Sequence, residues 1–116
     1  MTNNDDNDLL ILWTTGDRET AVNMVFMYAR NSKINRWWKN VTVLIWGAST
    51  KAAAGDRRIR QQIASLKNQG VRVMACKKCA ENVDVVEELE KQGVEVFYSG
   101  RFLTDWLKSG KKLLTI

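Results

Sequence analysis

The chain has no histidine, no proline and only two cysteines among its 116 residues, and each shortage narrows what it can do. Ser/His/Asp and Cys/His catalytic arrangements are excluded, because they use an imidazole as the base. A zinc site is left with Cys76, Cys79 and carboxylates, short of the usual structural ligand set. The missing proline removes the cis-proline that faces the redox motif in thioredoxin-like proteins. No stretch approaches the roughly 18 apolar residues of a membrane span, so no membrane association is expected. The acidic opening Asp5, Asp6, Asp8 is the reverse of a secretory leader's basic region, and a cytoplasmic protein is expected. In such a reducing compartment, close thiols serve redox, metal or sulfur chemistry more often than structural cross-linking.

With 45% of its residues apolar, a chain of this length is expected to bury one core as a single domain, residues 1–8 forming a frayed tail. The net charge of +5 is unevenly spread. Twelve Lys or Arg lie between Arg30 and Lys78 against one acid, Asp56, while Glu81, Asp84, Glu87, Glu88 and Glu90 gather later. The basic middle is either a solvated surface or a patch that attracts an acidic protein, an anion or, less favoured, RNA.

Five short apolar runs alternate with helix-like polar segments, the pattern of βαβ units and a mostly parallel sheet. Residues 9–13 and 41–46 are nearly continuous in apolar side chains, as central strands buried on both faces are. The runs at 71–75, 94–98 and 112–116 fit positions with less complete cover. A first helix is expected over 19–30, capped by Asp17, with Ala21, Met24, Val25, Tyr28 and Ala29 as its apolar stripe. A second opens at Asp56, with Ile59, Ile63 and Leu66 inward, and closes at Gly70. A third spans about 82–92 with Val83, Val86 and Leu89 inward, and a short fourth carries Phe102, Leu103, Trp106 and Leu107. Adjacent Trp37 and Trp38 cannot both easily point inward and are either a partner surface or packing at the sheet's rim.

In an open parallel sheet the ligand crevice lies beyond the carboxyl ends of the strands. The turns expected there carry Thr14, Thr15 and Gly16; Gly47, Ser49 and Thr50; Cys76, Lys77, Lys78 and Cys79; and Ser99. Cys76 is placed where the third strand stops and a helix begins. There the helix dipole and Lys77 and Lys78 favour its thiolate, the form that reacts. The competing reading is a small buried hydrophobe at a strand end. Thr14 to Thr20 is either a capped turn or a faint flavodoxin-like phosphate loop.

Several stretches coincide with a known pattern. They are Thr14-Thr15-Gly16-Asp17 after the first strand, Arg36 to Ser49 with its Val-Thr-Val-Leu-Ile-Trp-Gly strand, Val71 to Ala80 with Ala-Cys-x-x-Cys, and Leu103 to Gly110. Over about residues 9–116 the chain resembles the DsrE-like family, also called DsrE/F/H or YchN-like. The resemblance implies a three-layer α/β/α domain on a five-stranded parallel sheet, commonly assembled into trimers or hexamers. It also implies sulfur carriage as a persulfide, with donor and acceptor proteins as partners, on the cysteine that matches Cys76. Cys79 departs from the relay branches and resembles a broader group, and it is assigned as a possible resolving thiol.

The function expected from residues and resemblance together is sulfur transfer through Cys76, a carrier activity with no free-standing turnover and no cofactor or metal. The alternatives are a non-catalytic oligomeric module that binds a protein or small anion, and a dithiol redox protein.

Overall fold

A computed structural model describes residues 7–116. Residues 1–6, most of the expected tail, lie outside the described residues. Asn7 and Asp8, expected in that tail, belong to the fold. The Lys39 amide donates to the Asn7 carbonyl at 2.8 Å, and Asp8 begins β1 (Asp8–Trp13). The other strands are β2 (Asn40–Ile45), β3 (Arg72–Cys76), β4 (Glu95–Phe97) and β5 (Lys112–Thr115). All pairings are parallel, in the order β4-β3-β2-β1-β5. This is the α/β architecture on a five-stranded parallel sheet that the sequence pattern predicts.

Handedness decides where the helices go. Crossovers between parallel strands are right-handed in nearly all proteins, so β1 to β4, laid down in one direction, carry their connections on one face. The chain then returns from β4 past the whole sheet to β5, and the same hand puts that helix on the other face. The first face accordingly buries Leu9, Ile11, Trp13, Val43, Ile45 and Val73 under five helices. The second has a smaller buried cluster, Leu10, Leu44 and Met74.

The first connection, α1, is one continuous helical stretch of Arg18–Thr20, Ala21–Phe26 in π geometry and Met27–Ile34. It is longer than expected, and its π segment turns Phe26 into the core beside Ala21 and Val25 while Met24 faces out. The inward stripe is therefore not the one that ideal α-helical spacing predicts. The β2–β3 crossover contains an unforeseen helix, α2 (Ser49–Gly55), before α3 (Arg57–Asn68). Asp56 caps α3 by accepting the Ile59 amide at 3.1 Å, and Ile59, Ile63 and Leu66 point inward as predicted.

The expected third helix is two, α4 (Lys77–Asn82) and α5 (Val86–Lys91), because Asp84 takes a left-handed backbone with φ 57°. Val83 is consequently exposed, and Leu89 alone of the predicted inward trio is fully buried. The last helix, α6 (Gly100–Lys108), covers the second face with Phe102, Leu103 and Trp106, and Leu107 faces solvent. β3 also departs from expectation. Although short, it lies between β2 and β4 with Val73, Met74, Ala75 and Cys76 buried.

Burial against exposure predicts unequal mutational costs. Ile63→Ala, in the close-packed first face, should lower the unfolding free energy by about 2–5 kcal/mol, and exposed Leu107→Ala by about 0.5 kcal/mol or less. Urea unfolding of both variants is the check, and equal costs would contradict the burial described.

Candidate functional site

The crevice of an open sheet forms where neighbouring strands send their connections to opposite faces. Here that occurs between β3, whose chain continues into α4 on the first face, and β4, whose chain continues into α6 on the second. Cys76 is the last residue of β3 and sits opposite Phe97 in the parallel register. Its backbone is still extended (φ −68°, ψ 118°) as it enters α4. Alternation from Met74 therefore puts Cys76 on the second face, in line with Phe97 and one residue beyond the Ile45–Ala75 pair that precedes Trp46. The residue is 5% exposed, whereas Cys79 in the first turn of α4 is half-buried. Both are free thiols.

Cys79 is gripped from two sides. The Gly47 amide donates to its sulfur at 3.4 Å, and Gly47 reaches that position with φ 75°, a conformation that glycine takes without strain. Burial raises the Cys79 thiol above its ordinary value, the Gly47 amide pulls it down, and the adjacent Cys76 sulfur raises it again. The net direction is upward, so at neutral pH Cys79 holds its proton.

The turns after β1 and β2 are locked together rather than open. Ser49 donates from Oγ to the Trp13 carbonyl at 2.7 Å, and its amide donates to the Thr14 carbonyl at 3.1 Å. Thr14 Oγ1 donates to the carbonyl of Ile116 at 3.1 Å, closing β5 onto β1. Gly16 lies against Ala48, where an added Cβ would meet the Ala48 carbonyl oxygen at 3.3 Å. Thr15 Oγ1 accepts the Asp17 amide, and the Asp17 carboxylate accepts both the Thr20 amide at 2.9 Å and the Thr20 hydroxyl at 2.7 Å. These two bonds, the hydroxyl's first, hold the Asp17 carboxyl below its ordinary value. An ionised carboxylate thus occupies the helix N-terminus that a phosphate would need. The segment is a capped turn, not a phosphate loop.

Thr50 and Ser99 are buried, each with a hydroxyl that has no hydrogen-bond partner among the described residues. Of the expected lining residues, the structure brings Gly47 to Cys79 and ties Thr14 to Ser49, and it turns Thr15 to a local capping role. Lys77 extends over the Tyr98 ring, 5.3 Å from its centre, and Lys78 is exposed. Tyr98 donates to Glu81 at 2.8 Å, which raises its phenol above the ordinary value and keeps it protonated. Sequence reasoning missed Tyr98 and Glu81. They are 17 residues apart and meet only because β4 pairs with β3.

A parallel α/β fold with a cysteine at its switch point defines the class of this protein. The sequence profile of the DsrE/DsrF-like family matches residues 17–116, and the chain belongs to that family. A conserved protein of unknown function from Bacteroides thetaiotaomicron is 41% identical, with 95% of each chain covered and a TM-score of 0.93. A protein of unknown function from Methanobacterium thermoautotrophicum shares the fold at 18% identity, with 96% of this chain and 100% of that one covered and a TM-score of 0.80. The ychN protein of E. coli does so at 16% identity, with 96% and 99% covered and a TM-score of 0.72. No curated protein matches the chain. Among the described residues no helix is long and apolar enough to cross a membrane.

The Cys79 thiol is predicted to respond to its neighbour. The rate of Cys79 alkylation against pH should show a midpoint above that of a free thiol, and Cys76→Ser should lower it by removing the neighbouring sulfur's contribution. Peptide mass spectrometry after timed iodoacetamide exposure measures this. An unchanged midpoint in Cys76→Ser would mean that the thiols are independent.

Proposed function

We propose that this protein carries sulfane sulfur as a persulfide on Cys76 and passes it between proteins. The family suggests a sulfur-relay role in general terms. The observation that carries the finer reading is the pairing of a buried Cys76 with a protonated Cys79 at the β3–β4 switch. A Cys76 thiolate attacks the terminal sulfur of a donor persulfide. One S–S bond forms as the donor's breaks, and the electron pair leaves with the donor thiolate. An acceptor thiolate later repeats the displacement and restores the Cys76 thiolate. Sulfane sulfur keeps its oxidation level throughout, so the exchange needs no cofactor and no external oxidant.

The half-buried thiol governs how long the sulfur stays. A Cys79 thiolate attacking the inner sulfur of the persulfide would expel hydrosulfide and leave a Cys76–Cys79 disulfide. Burial keeps most of Cys79 protonated, which slows that attack without preventing it, so the sulfur stays for a shorter time than it would with no thiol at position 79. In this reading Lys77 and Lys78 support the Cys76 thiolate or the docking of an acidic partner, and the turns carrying Thr14, Thr15, Gly16, Gly47, Ser49, Thr50 and Ser99 wall the approach. The dithiol redox reading is favoured by the contact between the two sulfurs. It differs in predicting a disulfide without any sulfur adduct.

Incubation with a cysteine desulfurase and cysteine, followed by intact mass, separates these readings. One added sulfur should accumulate in Cys79→Ser, appear transiently or weakly in the wild type, and be absent from Cys76→Ser. A reversible loss of two hydrogens with no adduct in any variant would replace carriage with dithiol redox. If neither change appears, the cysteines are structural and the binding-module reading takes over.

Family members are generally oligomeric, and we propose a trimer or hexamer here. The second sheet face supports it, since α6 alone covers it and Leu12, Trp46, Phe97 and Leu113 remain partly exposed. Sedimentation at micromolar concentration should show the larger species, and a strict monomer would overturn this assignment.

A further inference from the structure

The outer side of α1 has the composition of an interface, although it lies on neither the cysteines nor the second sheet face. Met24, Met27 and Ile34 recur at helical spacing along it, and with Trp37 they are each 40% to 58% exposed. Trp37 is held in place by the turn that ends the helix. Arg36 adopts a left-handed backbone (φ 57°), its successor's amide donates to the Ser32 carbonyl at 3.0 Å, and the Trp37 ring comes to rest 6.1 Å from that of Tyr28. Tyr28 is fixed in turn by Trp38, whose Nε1 donates to its hydroxyl at 3.2 Å. A rigid exposed tryptophan beside flexible methionines is the mixture that protein interfaces favour.

The charged side chains that border the stripe from α1 and the turn after it are all basic. Arg30, Lys33, Arg36 and Lys39 border it, and between Thr20 and Gly55 the chain contains no carboxylate. Lys33, Arg36 and Lys39 line a hollow of about 380 Å³ with Asn7 and the Trp38 ring. Arg30 bonds to the neutral Gln62 side chain and Lys33 to the Lys39 carbonyl, so neither contact supplies a counter-charge. An apolar strip that ends in a cationic hollow selects against basic and against purely polar partners.

We propose that the outer face of α1 and the Trp37–Lys39 turn form a docking surface for an acidic amphipathic segment of a partner protein. Its apolar side chains would lie along Met24, Met27, Ile34 and Trp37, and its carboxylates would enter the hollow. This surface leads to the amino ends of the strands, opposite the edge where Cys76 stands, so docking leaves the thiols free. The inference is independent of the sulfur-relay reading.

Three synthetic helical peptides of about five turns test it on the full chain by amide NMR: leucines with glutamates, leucines with lysines, and serines with glutamates. Only the first should bind, shifting the amides around Met27 and the Trp37 indole, with affinity that falls as salt is raised. Trp37→Ala should weaken it about tenfold or more, the scale of an interface anchor. Arg36→Gly should weaken it too while leaving the melting temperature unchanged or higher, because glycine suits the left-handed position. Absence of binding at millimolar peptide, equal binding of the acidic and basic peptides, or shifts elsewhere would overturn the proposal. So would a single-stranded oligonucleotide that binds the same residues more tightly, or a Trp37→Ala variant that sediments as a smaller species than wild type. The last result would assign the face to self-association.

Discussion

Because every crossover between parallel strands takes the same hand, the order in which this chain lays down its strands dictates everything else about its shape. Four strands advance in one direction and keep their helices on one face. The return from β4 to the far side of β1 forces α6 alone onto the other. Nothing local in α6 chooses that face. Its amphipathic stripe of Phe102, Leu103 and Trp106 is suited to either, and the topology selects.

The same reversal creates the site. Where the connections after β3 and β4 part, the strand ends are left with a crevice, and the residue that ends β3 is Cys76. Burial there has two opposed consequences for sulfur. It shields Cys76 from water, and it keeps a proton on the neighbouring Cys79. The Gly47 amide moderates this second effect, and it reaches Cys79 because β2 lies beside β3 and ends in a left-handed glycine. The environment of the thiols is therefore a product of strand order as much as of the Cys-x-x-Cys spacing.

Unequal cover also separates the surfaces by purpose. The first face is closed by helices whose interior is tightly buried and whose exterior is cationic along α1 and α3 and acidic along α5, with the methionine and tryptophan stripe of α1 among the cations. The second face is aromatic and incompletely closed: Phe97, Phe102 and Trp106 stack edge-to-face and tilted at 5.8 Å spacings. Cys76 belongs by register to this second face, so any chain that covers it also borders the crevice.

The alternation of apolar runs with amphipathic segments was enough to specify a parallel α/β domain. The Asp17 and Asp56 caps and the inward Ile59, Ile63 and Leu66 were likewise legible, because capping and helical spacing are local physics carried by residues near in the chain. The position of Cys76 at a strand end was legible for the same reason. The π turn in α1, the helix at Ser49–Gly55 and the break at Asp84 were not, since each is settled by what the segment packs against rather than by its own propensities. Above all, the sequence did not reveal that Cys76 is the more buried thiol, that Gly47 holds Cys79, or that Tyr98 reaches Glu81. Those contacts join residues brought together by strand pairing, and long-range pairing is decided by the tertiary fold because its energy comes from surfaces that meet only once the whole sheet has formed.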